Sequence, residues 1–599
     1  MSAPEGGALA AKCLCWSCCD GSAVGQEASE AAEGPRQPHL PELEEVEVTE
    51  RKQELWEKFG GFELDPVLGS GAVVLVDAEW VVERAGSGGT LEPRQALPPV
   101  AFMPHSGVKA ATGEGELPLL HIACVSHCWL QADHPHPHGH NLRILGRALQ
   151  LLSADPGPSV TGRWAVFMDF ICIHQNCRDH GGAPRRCTYQ RLDGSECFEA
   201  GAIGRFEREG ELFKEALGSL GSFYSHPATV VFMLTRFPDD YDNPGVYTRS
   251  GNTALYFDRG WCFCESSWAM LTKVSFLLVD LGQATGDETT YGDLVRRCSA
   301  GRKAPALPDA FEAELHSKGF TNGKDDRPRV AELYRSAFAQ RFESAELLVY
   351  TSLDWGDEEV RQVAAVLTSV ALPRLQWLDL SGNRVGDEGA AALAEALRAP
   401  DALPSLQTLA LRAPDALPSL QWLDLSTTAW GPRARPRWRR PSGPRAPCRA
   451  CRGSTSTGNR VGAEGAAALA QALRAPDALP SLQWLDLSCN RVGDEGAAAL
   501  AEALRAPDAL PRLQRSTSPA LRAPDALPRL QVLNLSCNRV GDEGAAALAQ
   551  ALRAPDALPR LQVLNLSCNR VGDEGAAALR AAWAAGGHPV GGEFEGRDL

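Results

Sequence analysis

The stretch Phe257 to Met270, FDRGWCFCESSWAM, sets one carboxylate, Glu265, among apolar and thiol neighbours on a short helix. An Arg259-Gly260-Trp261 turn opens that helix. A single carboxylate in a partly dry cleft suits one kind of work. It stabilises positive charge developing on a neighbouring group, because a low dielectric strengthens the field it exerts. The competing reading is structural, with Glu265 capping or salt-bridging the helix and Trp261 in the core. Other polar groups stand where apolar runs give way. Ser126 and Trp129 close LPLLHIACVSHCWL, and Asp169 interrupts GRWAVFMDFICIHQ.

These residues need a frame, and the runs around them describe one. LPLLHIACVSHCWL, GRWAVFMDFICIHQ, PATVVFMLT and VSFLLVDLG read as four buried strands. Between them, NLRILGRALQLL, GELFKEALGSLGSFY and the Glu265 segment read as helices. Strands that are apolar nearly throughout and alternate with helices indicate a parallel sheet covered on both faces. Ligands of such sheets sit beyond the carboxyl ends of the strands, where Ser126 and Asp169 fall. This α/β domain spans 116–300. Residues 1–50 read as a disordered tail. Residues 51–115 read as a lead-in, with a helix at RKQELWEKF and a strand pair in AVVLVDAEWVVERA. Residues 301–344 read as a helical connector with charged and Pro breaks.

Three blocks of the α/β domain, ACVSHCW, FMDFICIHQN and RGWCFCE, resemble in order the heterokaryon-incompatibility domain of fungal cell-death proteins. The strand order and the Trp-Cys-x-x-Glu helix also resemble the Toll/interleukin-receptor (TIR) fold, which is flavodoxin-like. The chain departs from the fungal pattern at His127, at His174 and at Cys264, which stands in the place of a Gln. Its HPHPHGH insert and the Cys177–Cys197 segment depart from it too. Some TIR domains cleave NAD at the nicotinamide–ribose bond, and the resemblance gives Glu265 that task. Nicotinamide leaves as a neutral group, so the reaction needs a carboxylate near the ribose rather than a strong general acid. On the same resemblance Trp129 or Trp261 stacks on a base or pyridine ring, Arg259 meets a phosphate, and Ser126 and Asp169 complete the contact. NAD is then a substrate, with no permanently bound cofactor. The TIR fold also serves purely as an assembly module, so a non-enzymatic scaffold that self-associates through this domain is the alternative.

From Leu375 the chain repeats LQWLDLSGNRVGDEGAAALAEALRAPDALP almost verbatim, with 31 positions from Leu375 to Leu406, Leu482 to Leu513 and Leu530 to Leu561. Each unit resembles a ribonuclease-inhibitor-type leucine-rich repeat, so residues 345–585 are expected to form an α/β solenoid, with 586–599 as a tail. AELLVYTSLDWGDEEVRQVAAVL reads as a degenerate capping repeat. Leu378 and Leu380 point inward, Asn383 bonds backbone across the turn, and Asp387 and Glu388 start the helix. The outward strand residues Trp377, Asp379 and Ser381, with Trp484, Asp486, Ser488, Val563, Asn565 and Ser567, make a concave face expected to bind a protein. Because such repeats also occur in activators of small GTPases, regulation of a GTPase is a further alternative.

Residues 431–457 break the period with a basic stretch. Trp-Leu-Asp-Leu-Asp read one base out of frame gives Gly453 to Thr457, so this segment reads as a repeat translated out of frame, and Arg515 to Pro519 as a smaller scar. On that reading Cys448 and Cys451 are not a metal motif.

The net charge of −16, spread along the chain, argues against a broad nucleic-acid surface. No apolar run reaches the roughly 18 residues of a membrane helix, and no signal peptide is evident. The 18 cysteines read as reduced thiols of a cytoplasmic protein. Membrane attachment would require lipidation of Cys13, Cys15, Cys18 and Cys19. Cys177, His180, Cys187 and Cys197 lack a paired CxxC or HxxxH, so no metal site is assigned.

Overall fold

The computed structural model describes residues 43–113, 119–131, 137–155, 162–175, 207–244, 253–299, 301–320, 323–398, 403–411, 459–474, 481–505, 529–554 and 560–586, with a few positions between them. The N-terminal thiols, the Cys177–Cys197 set and both irregular segments of the repeats lie outside these residues.

The first sheet contains β1 (Leu75–Asp77), β2 (Phe102–Met103), β3 (Ile122–His127), β4 (Ala165–Phe167), β5 (Val230–Leu234) and β6 (Leu278–Asp280). Its order is β2-β1-β4-β3-β5-β6. Strands β4, β3, β5 and β6 run parallel, as their unbroken apolar runs require, and every residue of β3 and β5 is buried. The connection from β3 to β4 leaves in one direction and that from β4 to β5 returns past β3. The order therefore reverses between β3 and β5, the place at whose carboxyl ends ligands of such sheets sit.

Three expectations are corrected here. AVVLVDAEWVVERA is not a strand pair: after Asp77 the chain turns into a helix, Ala78–Gly86. The Asp77 carboxylate accepts the Glu79 N–H at 2.8 Å, and this cap overrides the β-branched run. The 51–115 segment is more than a lead-in, because β1 joins the sheet antiparallel to β4 and β2 pairs antiparallel with β1. The 301–344 segment is helical and broken, as expected, but it is more than a connector: its helices Pro308–Leu315 and Gly323–Ser344, the second containing Pro328, pack as core. Phe311 stacks between Phe263 and Tyr334, and Arg341 makes paired bonds to Glu63 while its Nε donates to Ser225 Oγ at 2.9 Å.

The second sheet is all parallel: β7 (Leu347–Val349), β8 (Trp377–Asp379), β9 (Thr408–Ala410), β10 (Trp484–Asp486), β11 (Val532–Asn534), β12 (Val563–Asn565) and β13 (Glu593–Glu595), neighbours in chain order. Side-chain amides of Gln376, Gln407, Gln483 and Gln531 form a ladder with Nε2 to Oε1 distances of 3.1, 3.3 and 3.0 Å. Their sequence separations are 31, 76 and 48 residues. The array thus keeps its register across steps of unequal sequence length.

Two polar columns hold the repeats together, the asparagines mostly buried and the aspartates nearer the surface. Asn383, Asn459, Asn490, Asn538 and Asn569 each donate Nδ2 to strand-end carbonyls, and Asn490 reaches Leu411 O at 2.8 Å and Leu487 O at 3.0 Å. The helix-start aspartates Asp357, Asp387, Asp494 and Asp542 each accept two glycine N–H groups of the next repeat, at 2.6–3.0 Å. The first repeat is fused to the α/β domain. Tyr350 donates to Leu271 O, Trp355 Nε1 to Arg302 O at 2.6 Å, and Ser275 Oγ to Thr351 O at 2.8 Å. Beneath them the buried Arg302 donates to Lys273 O at 2.6 Å and Met270 O at 2.9 Å.

Candidate functional site

Strand β3 delivers Ser126 and His127 to its carboxyl end, paired in register with Met233 and Leu234 of β5. The helix Gly260–Ala269 crosses above them. Its first residue lies tight against the 319–320 segment because residue 260 is a glycine: a Cβ there would lie 1.9 Å from the Phe320 ring, and the Gly260 N–H donates to Gly319 O at 2.9 Å. One turn on, Glu265 points at the strand end. Ser126 Oγ donates to Glu265 Oε2 at 2.6 Å and is also bonded to the Tyr256 hydroxyl.

A second pair lies alongside. His127 Nε2 meets Asp169 Oδ1 at 2.6 Å, and the same oxygen accepts the Phe170 N–H at 2.7 Å. Trp129 Nε1 donates to Asp169 Oδ2 at 3.4 Å. Asp169 does not sit within a long strand, since β4 ends at Phe167 and Asp169 begins a helical turn to Cys172. Arg259 spends Nε on Ala254 O at 2.7 Å and Nη1 on Trp129 O at 2.8 Å, and its buried Nη2 finds no hydrogen-bond partner among the described residues.

Ser126, Trp129, Asp169, Arg259 and Glu265 are therefore brought to one edge of the sheet. Trp261 is not: its Nε1 donates to Asp326 Oδ2 at 3.3 Å, against the 323–344 helix. Residues 261 and 265 are four apart and so neighbours on the helix surface, yet the Trp261 ring turns to Asp326 and not to the strand end. Pattern reading missed Tyr256, nine positions before Glu265 with no spacing to mark it, and the pairing role of His127. Tyr224, whose hydroxyl donates to Val125 O at 3.0 Å, was equally silent in sequence.

Burial sets the electrostatics. Glu265 is only 5 % exposed, and its carboxyl is pushed well above the usual range by desolvation, with Cys262 and Asp169 adding to the shift and the Ser126 hydrogen bond opposing it. Burial likewise raises the Tyr256 and Tyr224 hydroxyls, Glu265 adding in each case. The Cys262 thiol is raised by its contact with Cys128 and then by burial. The site is a buried network in which desolvation opposes the charge of Glu265. The proline-flanked His134 and His138 are tied to the scaffold, at 2.8 Å from Leu91 O and 2.9 Å from Val246 O.

On the array, Trp377, Trp484, Val532 and Val563 lie in one row of the second sheet, half-buried. Asp379, Asp486 and Asn565 lie in the adjacent row, but each turns one oxygen back onto the backbone two residues on, at 2.8, 2.9 and 3.0 Å. This Asx-type turn ends the strand. Ser381 and Ser488, expected to face outward, are buried at 6 % and 3 % exposure, because the turn carries them under the following loop. Ser567 is half-buried and donates Oγ to Asn565 at 2.6 Å.

The leucine-rich-repeat family model matches residues 374–394, 478–501, 527–549 and 558–579. Residues 374–579 carry a leucine-rich repeat region. Such repeats generally bind protein partners. The split repeat around Ala463 falls between the first two matches, as its interruption by 412–458 would lead one to expect. No curated protein matches the chain. Among the described residues no helix is long and apolar enough to cross a membrane.

Proposed function

We propose that this protein is a signalling module of cell-death or immune type, in which the repeat array captures a protein partner and a TIR-like α/β domain responds. The observation that carries the reading is the array itself. It presents Trp377 and Trp484 on one face of its sheet beside Asp379 and Asp486, a pairing of aromatic anchors with fixed acidic groups that suits a protein surface. The shared joint at Tyr350, Trp355 and Arg302 gives that face a stiff connection to the α/β domain. In this reading the protein works in the cytoplasm, and the α/β domain also supplies self-association. The test compares full-length protein with a Trp377→Ala/Trp484→Ala variant by proximity labelling in cells. Neighbours lost in that variant and retained in Glu265→Ala support the reading. An unchanged set of neighbours refutes it.

A second activity is favoured by the convergence of Ser126, Asp169 and Glu265 on the carboxyl end of β3. Here the edge site cleaves NAD at the nicotinamide–ribose bond. The pyridinium charge of an entering dinucleotide would offset the cost of ionising Glu265, which burial otherwise holds protonated. The resulting carboxylate then faces the ribose as its bond to the neutral leaving group lengthens. Ser126 holds that carboxylate by donating to Oε2, and Asp169 orients His127. NAD consumption by full-length protein, abolished in Glu265→Ala, supports this activity. Equal consumption in both, or none in either, leaves the α/β domain as an assembly scaffold.

A further inference from the structure

The repeats contain a column of thiols that neither the binding face nor the edge site uses. Cys489, Cys537 and Cys568 occupy one position in three successive repeats, just after β10, β11 and β12, and each is half-exposed. All three have left-handed backbones, with φ of 56°, 58° and 56°. The same place is held by Ser352 at 56° in the first repeat and by Gly382 at 74° in the second.

Geometry from repeat to repeat is repeated closely at this place. The Cys489 N–H donates to Ser536 O and the Cys537 N–H to Ser567 O, both at 2.8 Å, as the Ser352 N–H does to Ser381 O at 3.0 Å. The ladder bonds keep neighbouring backbones at strand spacing, about 4.8 Å, inside the range a disulfide spans between Cα atoms. The direction of the side chains is readable at the Ser352–Gly382 step: a Cβ built on Gly382 lies 2.6 Å from Ser352 Oγ. The side chain of one repeat is thus aimed at the Cβ of the next. A real Cβ does not stand at 2.6 Å, so the sulfur at the cysteine steps takes another position, but the matching backbones and ladder bonds set Cys489 beside Cys537 and Cys537 beside Cys568.

We propose that this thiol column is an oxidative modification site, in which peroxide joins Cys537 by a disulfide to Cys489 or to Cys568 and so clamps two adjacent repeats. The chemistry balances without a cofactor. One thiolate attacks a peroxide oxygen, giving a sulfenic acid and releasing water. The neighbouring thiolate attacks that sulfur, forming the S–S bond and expelling a second water. Two thiols lose two electrons in all, and hydrogen peroxide gains them. Because Cys537 is the shared member, a chain forms one such bond and not two. The Cys128–Cys262 pair, with sulfurs 3.8 Å apart, is a poorer substrate because both residues are buried away from the oxidant.

The experiment treats the full-length protein with hydrogen peroxide, alkylates the remaining thiols, isolates monomer by size exclusion, and maps tryptic peptides without reduction. Cys489 falls in peptide 475–491, while Cys537 and Cys568 fall in two peptides of identical sequence, LQVLNLSCNR. Variants therefore assign the bonds. Cys568→Ser is expected to retain the link between 475–491 and LQVLNLSCNR. Cys537→Ser is expected to lose every link among the three, since Cys489 and Cys568 are two repeats apart. Serine at this place is compatible with the fold, as Ser352 demonstrates. Linked peptides at undiminished yield in Cys537→Ser would overturn the proposal. So would wild-type protein whose column is recovered only as alkylated thiol or as sulfinic and sulfonic acid.

Discussion

Ala463→Asp should stabilise the array, although it adds a charge to a protein already at −16. In the other described steps of the stack, a helix-start aspartate accepts two glycine N–H groups from the following repeat. At 463 that residue is alanine, and the next turn differs accordingly. Gly493 stands at φ +66°, whereas Gly386, Gly462, Gly541 and Gly572 have φ of −100°, −94°, −103° and −84°. Its N–H turns to Asn538 O at 3.0 Å, and Arg539, next to that acceptor, stands at φ 64°. Supplying the carboxylate would restore two charge-assisted bonds at a helix start, contributing about 1–2 kcal/mol. The Gly493–Asn538 bond would be lost, costing about 1 kcal/mol. Release of Arg539 from the left-handed region would return about 1 kcal/mol. The net gain is about 1–2 kcal/mol, a factor of roughly 5–30 in local opening. Hydrogen exchange on the full-length protein reads this directly, and amides from Val492 to Ala497 and around Arg539 should exchange more slowly by that factor. If their exchange is unchanged or faster in Ala463→Asp, the aspartate column is not what sets the geometry of the turn.

Glu265→Gln should alter the pH dependence of stability. A carboxyl raised in the folded state contributes stability that is fully present below its unfolded pKa and lost as pH rises through the folded pKa. The glutamine variant lacks that loss, so its denaturant midpoint should gain on wild type between pH 5 and pH 8; parallel profiles would contradict a buried neutral Glu265. Lys273, lowered to about 7 by burial, acts in the opposite sense, with stability rising from about pH 7 toward the unfolded lysine value, and it cancels in the comparison because both proteins carry it. Asn490→Ala strips acceptance from the Val461 N–H and donation to Leu411 O and Leu487 O inside the stack. It should cost about 2–4 kcal/mol and open the array to limited proteolysis between 474 and 491, whereas wild-type resistance there would show that the column is dispensable.

Much of the fold was legible because local pattern and global demand agreed. Apolar runs of β3 to β6, separated by helical spacing, permit little besides a parallel sheet, and its strand ends had to carry Ser126 and Asp169. The repeats were equally plain: leucines at fixed positions, an asparagine in the turn and an aspartate opening the helix have one common solution, a stack. Where one side chain competed with a run, pattern alone failed. The carboxylate of Asp77 caps a helix, so half of AVVLVDAEWVVERA leaves the strand it suggests.

What the amino-acid sequence determined by itself is therefore everything set by periodicity: the two sheets, the alternation of helices and the order of the repeats. What only the tertiary structure decided is which side chains meet. Tyr256 and Glu265 share Ser126, His127 takes Asp169, and Trp261 turns toward Asp326 instead. Period fixes the face on which a residue lies. The partner it finds there depends on how far apart the packed elements come to rest, and that distance is set by residues remote in sequence, such as Gly260 against Phe320.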